Sequence, residues 1–319
     1  MNEDAQGDPQ QRLFSEAELA LTYDLPLEPL TDMGSNPVWT DNKARFIMLY
    51  LRYFVYITHH GTYIDGFAGP QAECETDSWA AKLVLESKPR WIRHVHLCDA
   101  NRSQIIRLKE LKAVQPTLDD SGKPINRNIH IYHGDFNAKI DEILGSGEIS
   151  EKEATFCLLD QRTFECDWQT VEKLARYKKS GNKIELFYFL ANGWLERALA
   201  GQRDLDKLAR WWGRDDWTGL KAMNREARRD AIVDRLKADF GYQSVKAYPI
   251  FKRGSDGAVM YFMIHATDHP EGPVQMARAY RNTVRPIDPP KETQTDFDFF
   301  PEAKAPDSQP GQPITQLSA

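Results

Sequence analysis

The feature that most constrains this chain is a succession of short apolar runs that close on Asp or Asn, with helix-like stretches between them. Residues 62–64 end at Asp65, and 94–97 lead to Asp99. Residues 128–132 lead through Gly134 to Asp135, 155–159 end at Asp160, and 184–190 lead to Asn192. Between these runs, 79–86, 102–114, 138–144 and 168–177 have helical spacing. A further helix over 42–59 precedes the first run and is stopped by Gly61. Nearly wholly apolar strands alternating with helices predict a parallel sheet covered on both faces.

The pattern changes after Asn192. Residues 194–240 read as mostly helical and carry Trp211, Trp212 and Trp217. Two β-runs, 244–251 and 259–265, then flank the turn sequence RGSDG. Strands joined by a tight turn are antiparallel. The predicted fold is therefore α/β and Rossmann-like. It has a mostly parallel sheet, a C-terminal antiparallel hairpin, and a helical insertion between strands five and six. That strand plan is of the methyltransferase type; a nicotinamide-type fold normally stays parallel to its end. The expected organisation is a polar arm over 1–36, the α/β domain over 37–286 and a tail over 287–319. The tail is rich in Pro, Gln, Ser and Thr and is expected to be disordered, with Phe297, Phe299 and Phe300 set among acids.

Composition narrows the class. Hydrophobic residues make up 41% and charged residues 28% of the 319, an ordinary globular balance. No apolar run approaches the ~20 residues a membrane span needs. The first residues are acidic and polar, unlike a secretory leader, so a cytoplasmic location is expected. Cys74, Cys98, Cys157 and Cys166 have no CxxC or CxxH spacing, so they read as reduced thiols with no metal site. A net charge of −6 argues against a general electrostatic grip on nucleic acid. The basic stretch from Lys207 to Lys237 leaves room for a local one, although such a run on helices is more often a solvated surface than a ligand site.

In an open α/β sheet, ligands bind at the carboxyl ends of the strands, and here those ends carry acids in succession. In Y-I-D-G-F-A-G-P, Gly66 and Gly69 let the backbone turn and approach a ligand, with Phe67 and Ala68 between them. Asp65 can accept from a ligand ammonium, and Asp99 from both hydroxyls of a ribose. Asp135 can accept from an adenine amino group, with Phe136 packed on the ring. Together these suit S-adenosylmethionine. The G-x-G-x-x-G fingerprint and the P-loop, which cradle phosphates, are both absent. The alternative is that each acid merely caps the helix that follows.

The segment L-L-D-Q-R-T-F-E-C-D-W at 158–168 is the place for catalysis. Asp160 can accept a hydrogen bond or proton from the methyl acceptor, and Arg162 can orient an anionic substrate. The D/N-P-P-aromatic sequence of amino-directed nucleic-acid methyltransferases is missing, and Cys166 lacks a Pro-Cys context for nucleophilic chemistry.

At these residues the chain resembles the three-Cys-motif partner family of methyltransferase-like proteins. The resemblance covers about residues 37–286. It rests on 42–54 with Lys43 and Y-L-x-x-F, on Y-I-D-G-F-A-G-P, and on Asp160 followed by Asp167-Trp168. It rests further on W-W-G at 211–213 and H-P-E-G at 269–272. It implies binding of S-adenosylmethionine and a three-cysteine partner resembling radical S-adenosylmethionine enzymes. It also implies a setting of mobile elements or defence. The chain departs from the family pattern at Gln71, where Gly is usual, and at Gln161, where Pro often stands. The leading expectation is a methyltransferase of unknown acceptor. The rivals are a non-catalytic partner subunit and a nucleic-acid-modifying protein.

Overall fold

The computed structural model describes residues 43–70, 79–201, 205–251 and 259–283. The expected arm and tail, the RGSDG turn, Gln71 and Cys74 lie outside these residues.

Helix α1 (Lys43–Thr58) buries Phe46, Ile47, Tyr50, Leu51, Phe54 and Val55. Their spacing of one, three and four places them on one stripe, which faces the sheet. The alternating units follow as β1 (Gly61–Asp65), α2 (Ala80–Glu86), β2 (Ile92–Asp99), α3 (Arg102–Ala113) and β3 (Asn128–His133). They continue as α4 (Phe136–Leu144), β4 (Thr155–Leu159), α5 (Trp168–Tyr177) and β5 (Glu185–Leu190). The sheet order is β3-β2-β1-β4-β5-β7-β6, where β6 is Ser244–Phe251 and β7 is Val259–Thr267. The first five strands pair in parallel, whereas β7 runs antiparallel to both β5 and β6. A seven-stranded, mostly parallel Rossmann-like sheet with an antiparallel C-terminal pair is thus present, as the sequence predicts.

The strands are apolar on both sides because both sides are covered. In β4, Phe156 and Leu158 face one core with α1, α2 and α3, while Cys157 and Leu159 face the other with α4 and α5. Register aligns the strand ends: Asp65 lies opposite Leu97 of β2 and Leu158 of β4, and Asp99 lies opposite His133. After β1 the chain first builds outward through β2 and β3. It then returns to build β4 and β5 on the other side. This reversal opens a crevice at the carboxyl ends of β1 and its neighbours.

The expected helical insertion comprises α6 (Asn192–Gly201), α7 (Leu205–Trp212), a 3-10 segment (Asp215–Ala222) and α8 (Arg225–Phe240). Its adjacent tryptophans Trp211 and Trp212 are structural. Both are buried, and the Arg235 guanidinium lies 3.9 Å from the Trp168 ring centre and 4.3 Å from that of Trp212. Gly213 has positive φ and sits against Trp168, which explains W-W-G as a packing motif. Helix α9 (Gly272–Thr283), which begins at the end of H-P-E-G, is an addition to the sequence reading and packs on α1.

Candidate functional site

The loop after β1 crosses the strand ends. Gly66 N–H donates to the Leu158 carbonyl at 3.1 Å, and Ala68 N–H donates to the Cys98 carbonyl at 2.9 Å. Close approach requires both glycines. A Cβ on Gly66 would stand 2.9 Å from the Phe136 ring, and one on Gly69 would stand 2.5 Å from the Asp99 carboxylate. Asp65 is buried beneath this loop, accepting from Phe67 N–H at 3.1 Å and from the Tyr63 hydroxyl at 2.9 Å. Burial pushes its carboxyl up to about 7, against the lowering effect of those two donors. Ala68 is buried as well, and its carbonyl accepts from the Trp79 indole at 2.6 Å. Asp65 and Ala68 therefore support the loop from below and do not line the cavity.

Asp99 and Asp135 stand at the rim. Asp99 accepts from Gly69 N–H at 2.9 Å and from Asn101 N–H at 2.8 Å, so it clamps the glycine loop to the end of β2. Asp135 is exposed and caps α4 by accepting from Asn137 N–H at 2.9 Å. The capping role is realised here, and the same carboxylate lines the cavity. Phe136 is buried against Phe67, with ring centres 5.9 Å apart.

These groups surround a cavity of about 450 Å³ over the strand ends, which takes in Gly66, Phe67, Gly69, Asp99, Asp135, Phe136, Asp160 and Arg162. Acids outnumber bases on its walls. Glu165 and Asp167 join Asp99, Asp135 and Asp160, against Arg162, Lys207 and Arg210. Burial raises the Asp167 carboxyl, with Arg210 opposing. This excess of acids favours a ligand with cationic and neutral polar parts over a phosphate.

Asp160 closes the floor of this cavity toward α1. It is almost fully buried, and its oxygens lie 2.6 and 2.8 Å from the Lys43 ammonium. The same ammonium sits 5.4 Å from the Phe189 ring centre and 5.6 Å from that of Tyr261. Sequence reasoning did not give Lys43 this role. Nothing in a lysine at the start of an apolar helix announces a partner 117 residues away.

The loop from Asp160 to Asp167 is held at fixed points. Gln161 is buried, donating to the Phe189 carbonyl at 3.1 Å and accepting from Cys166 N–H at 2.9 Å. Asn137 donates to the Glu165 carbonyl at 2.6 Å and accepts from Asp167 N–H at 2.9 Å. Gln161 thus braces this loop by side-chain bonds at a position where Pro would limit the backbone directly. Arg162 is exposed at its tip. Cys98, Cys157 and Cys166 are buried free thiols. Burial pushes Cys166 well above its ordinary value, helped by Asp167, so it is a poor nucleophile.

Beyond Arg162 and Glu165, which it shares with the cavity, lies a groove of about 870 Å³ between the loop, α6 and β7. No group of His, Cys, Asp or Glu among the described residues could hold a metal ion. No helix among them is long and apolar enough to cross a membrane. No protein-family model matches the sequence, and a search of curated proteins finds no relative of it.

Proposed function

We propose that this protein is an S-adenosylmethionine-dependent methyltransferase. The observation that carries this reading is the acid-rich cavity bounded by the Gly66–Gly69 turn, Asp99 and Asp135 at the ends of β1, β2 and β3. In this reading Asp99 accepts from ribose hydroxyls, Asp135 accepts from the adenine amino group, and Phe67 with Phe136 forms an apolar wall. Bound there, the cofactor would supply an electrophilic methyl on a sulfonium for transfer to an acceptor nucleophile. The protein contributes mainly positioning. Asp160, in the cavity wall next to Gln161 and Arg162 of the groove, receives the acceptor's hydrogen bond, and Arg162 orients the rest of the substrate. The antiparallel β7 between β5 and β6 also supports this class over a nicotinamide enzyme.

Calorimetry with S-adenosylmethionine or its demethylated product tests the reading. Micromolar binding, about −8 kcal/mol, is expected. Absence of heat and of any thermal shift at millimolar ligand overturns it. The resemblance to three-Cys-motif partner proteins supports extending the proposal to a three-cysteine, radical-enzyme-like partner in a defence setting. Co-purification with such a protein tests that part. The rival reading as a non-catalytic subunit is favoured by one observation: Asp160 is already paired with Lys43.

A further inference from the structure

The groove beside the cavity differs from it in charge and in lining. Its cations are Lys43, Arg162, Arg197 and Arg225, and Glu165 is its one acid among the described residues. Lys43 is committed to Asp160. Arg225 pairs with Glu196 at 2.9 Å, both about half exposed, and a pair of that kind contributes little and exchanges readily. Arg197 lies 4.1 Å from the ring centre of Trp194, whose side chain is 53% exposed. A half-exposed indole carrying a stacked guanidinium costs apolar exposure and does not fill the core. Of the insertion's other tryptophans, Trp211 and Trp212 are buried and Trp217 is partly buried against the core.

We infer that this groove takes the methyl acceptor and that the acceptor is a single-stranded nucleic acid; this rests on the methyltransferase reading. Unpaired bases expose π-faces that stack on such a platform, and a duplex hides them. Arg162, Arg197 and Arg225 meet the phosphates. An acidic peptide would also be drawn by the charge, but it offers no ring to Trp194. The acidic protein as a whole gives no long-range grip, so binding depends on these few contacts. The strand runs along α6 to Arg162 and Glu165, where groove and cavity meet, which brings one base into the cavity above Asp160.

Fluorescence anisotropy with labelled oligonucleotides of about 12 residues tests this. Single-stranded DNA, single-stranded RNA and duplex DNA form separate arms, so the sugar preference is read directly. Micromolar single-strand binding is expected, with a log–log salt slope near about −2 for three phosphate contacts. Trp194→Ala should weaken it about tenfold, while Trp194→Phe should leave it nearly unchanged. Failure of every oligonucleotide at about 100 µM protein overturns the inference. So does duplex binding equal to single-strand binding, or an unchanged affinity in Trp194→Ala. The demethylated cofactor product is titrated into the same preparation. Its binding without any oligonucleotide binding removes the acceptor and leaves the methyltransferase. Oligonucleotide binding without it supports the groove and removes the methyltransferase reading.

Discussion

Lys43 and Asp160 form a buried ion pair, 2.6 Å at its shortest, that ties the first turn of α1 to the end of β4. Removing one partner leaves the other charged and desolvated. Lys43→Met should therefore destabilise the protein by about 3–5 kcal/mol. Replacing both partners with apolar side chains should restore much of that loss. Urea unfolding with an unchanged m-value measures both; a loss under about 1 kcal/mol for the single change refutes the pairing.

Asp160→Asn keeps an acceptor oxygen beside Lys43 and removes the charge. Under the proposed chemistry it lowers methyl transfer strongly and leaves affinity for the demethylated cofactor within about 1 kcal/mol. Transfer of labelled methyl groups to cell extract or to oligonucleotides is the assay. Full activity in the variant excludes Asp160 from the acceptor side.

Asp99 clamps Gly69 and faces the cavity. Asp99→Ala should weaken binding of the demethylated cofactor by about 1–3 kcal/mol through loss of charged acceptors. Gly69→Ala drives a Cβ to 2.5 Å from that carboxylate and 2.6 Å from Gln104. It should cost about 1–3 kcal/mol of stability and reduce binding further. Calorimetry and thermal unfolding of the two variants check both effects, and unaltered binding in both would show that the cavity is not the cofactor site.

Asp65 gives a pH signature. Its carboxyl is raised in the folded protein, from an ordinary 3.8 to about 7, by burial. The folded state therefore holds a proton that the unfolded chain releases above about pH 4. This contribution to stability is complete below pH 4 and is lost as pH rises toward and through 7. Asp65→Asn should flatten this part of the profile, so the variant gains on the parent between pH 5 and 8. Denaturation midpoints across that range provide the measurement; parallel profiles would mean that Asp65 does not titrate there.

The alternation of apolar runs and helices was legible because a doubly covered strand has no polar face to confuse it, as in the fully buried β4. Asp65, Asp99 and Asp160 were legible for the same reason: each is the first polar group after such a run, whereas Asp135 follows His133 and Gly134. Their separate duties were not. Asp65 lies under the glycine loop, Asp99 ties that loop down, Asp135 caps a helix and Asp160 meets a lysine. These differences depend on which backbone crosses above each strand end, which periodicity does not encode. Lys43, Gln161 and Asn137 were missed as braces because their partners are distant in sequence or are backbone atoms. Trp194 carries no signal in the sequence that sets it apart from Trp211 and Trp212. Only the course of α6 leaves it half exposed while Trp211 and Trp212 are buried.

The position of β7 has a consequence for how the molecule is assembled. It is the last of the seven strands in chain order, yet it lies between β5 and β6. On the ribosome, β5 emerges with one edge open and keeps it open until residues 259–267 follow. The Phe189 carbonyl that anchors Gln161 belongs to that waiting strand, and Tyr261, one wall around Lys43, arrives with β7 itself. Because β6 pairs only with β7, the two strands join the free edge of β5 together, a long-range step that is slow compared with forming the βα units. Until then an open apolar edge is available to other chains. The groove beside α6, which β7 helps to line, is therefore among the last parts of the molecule to form.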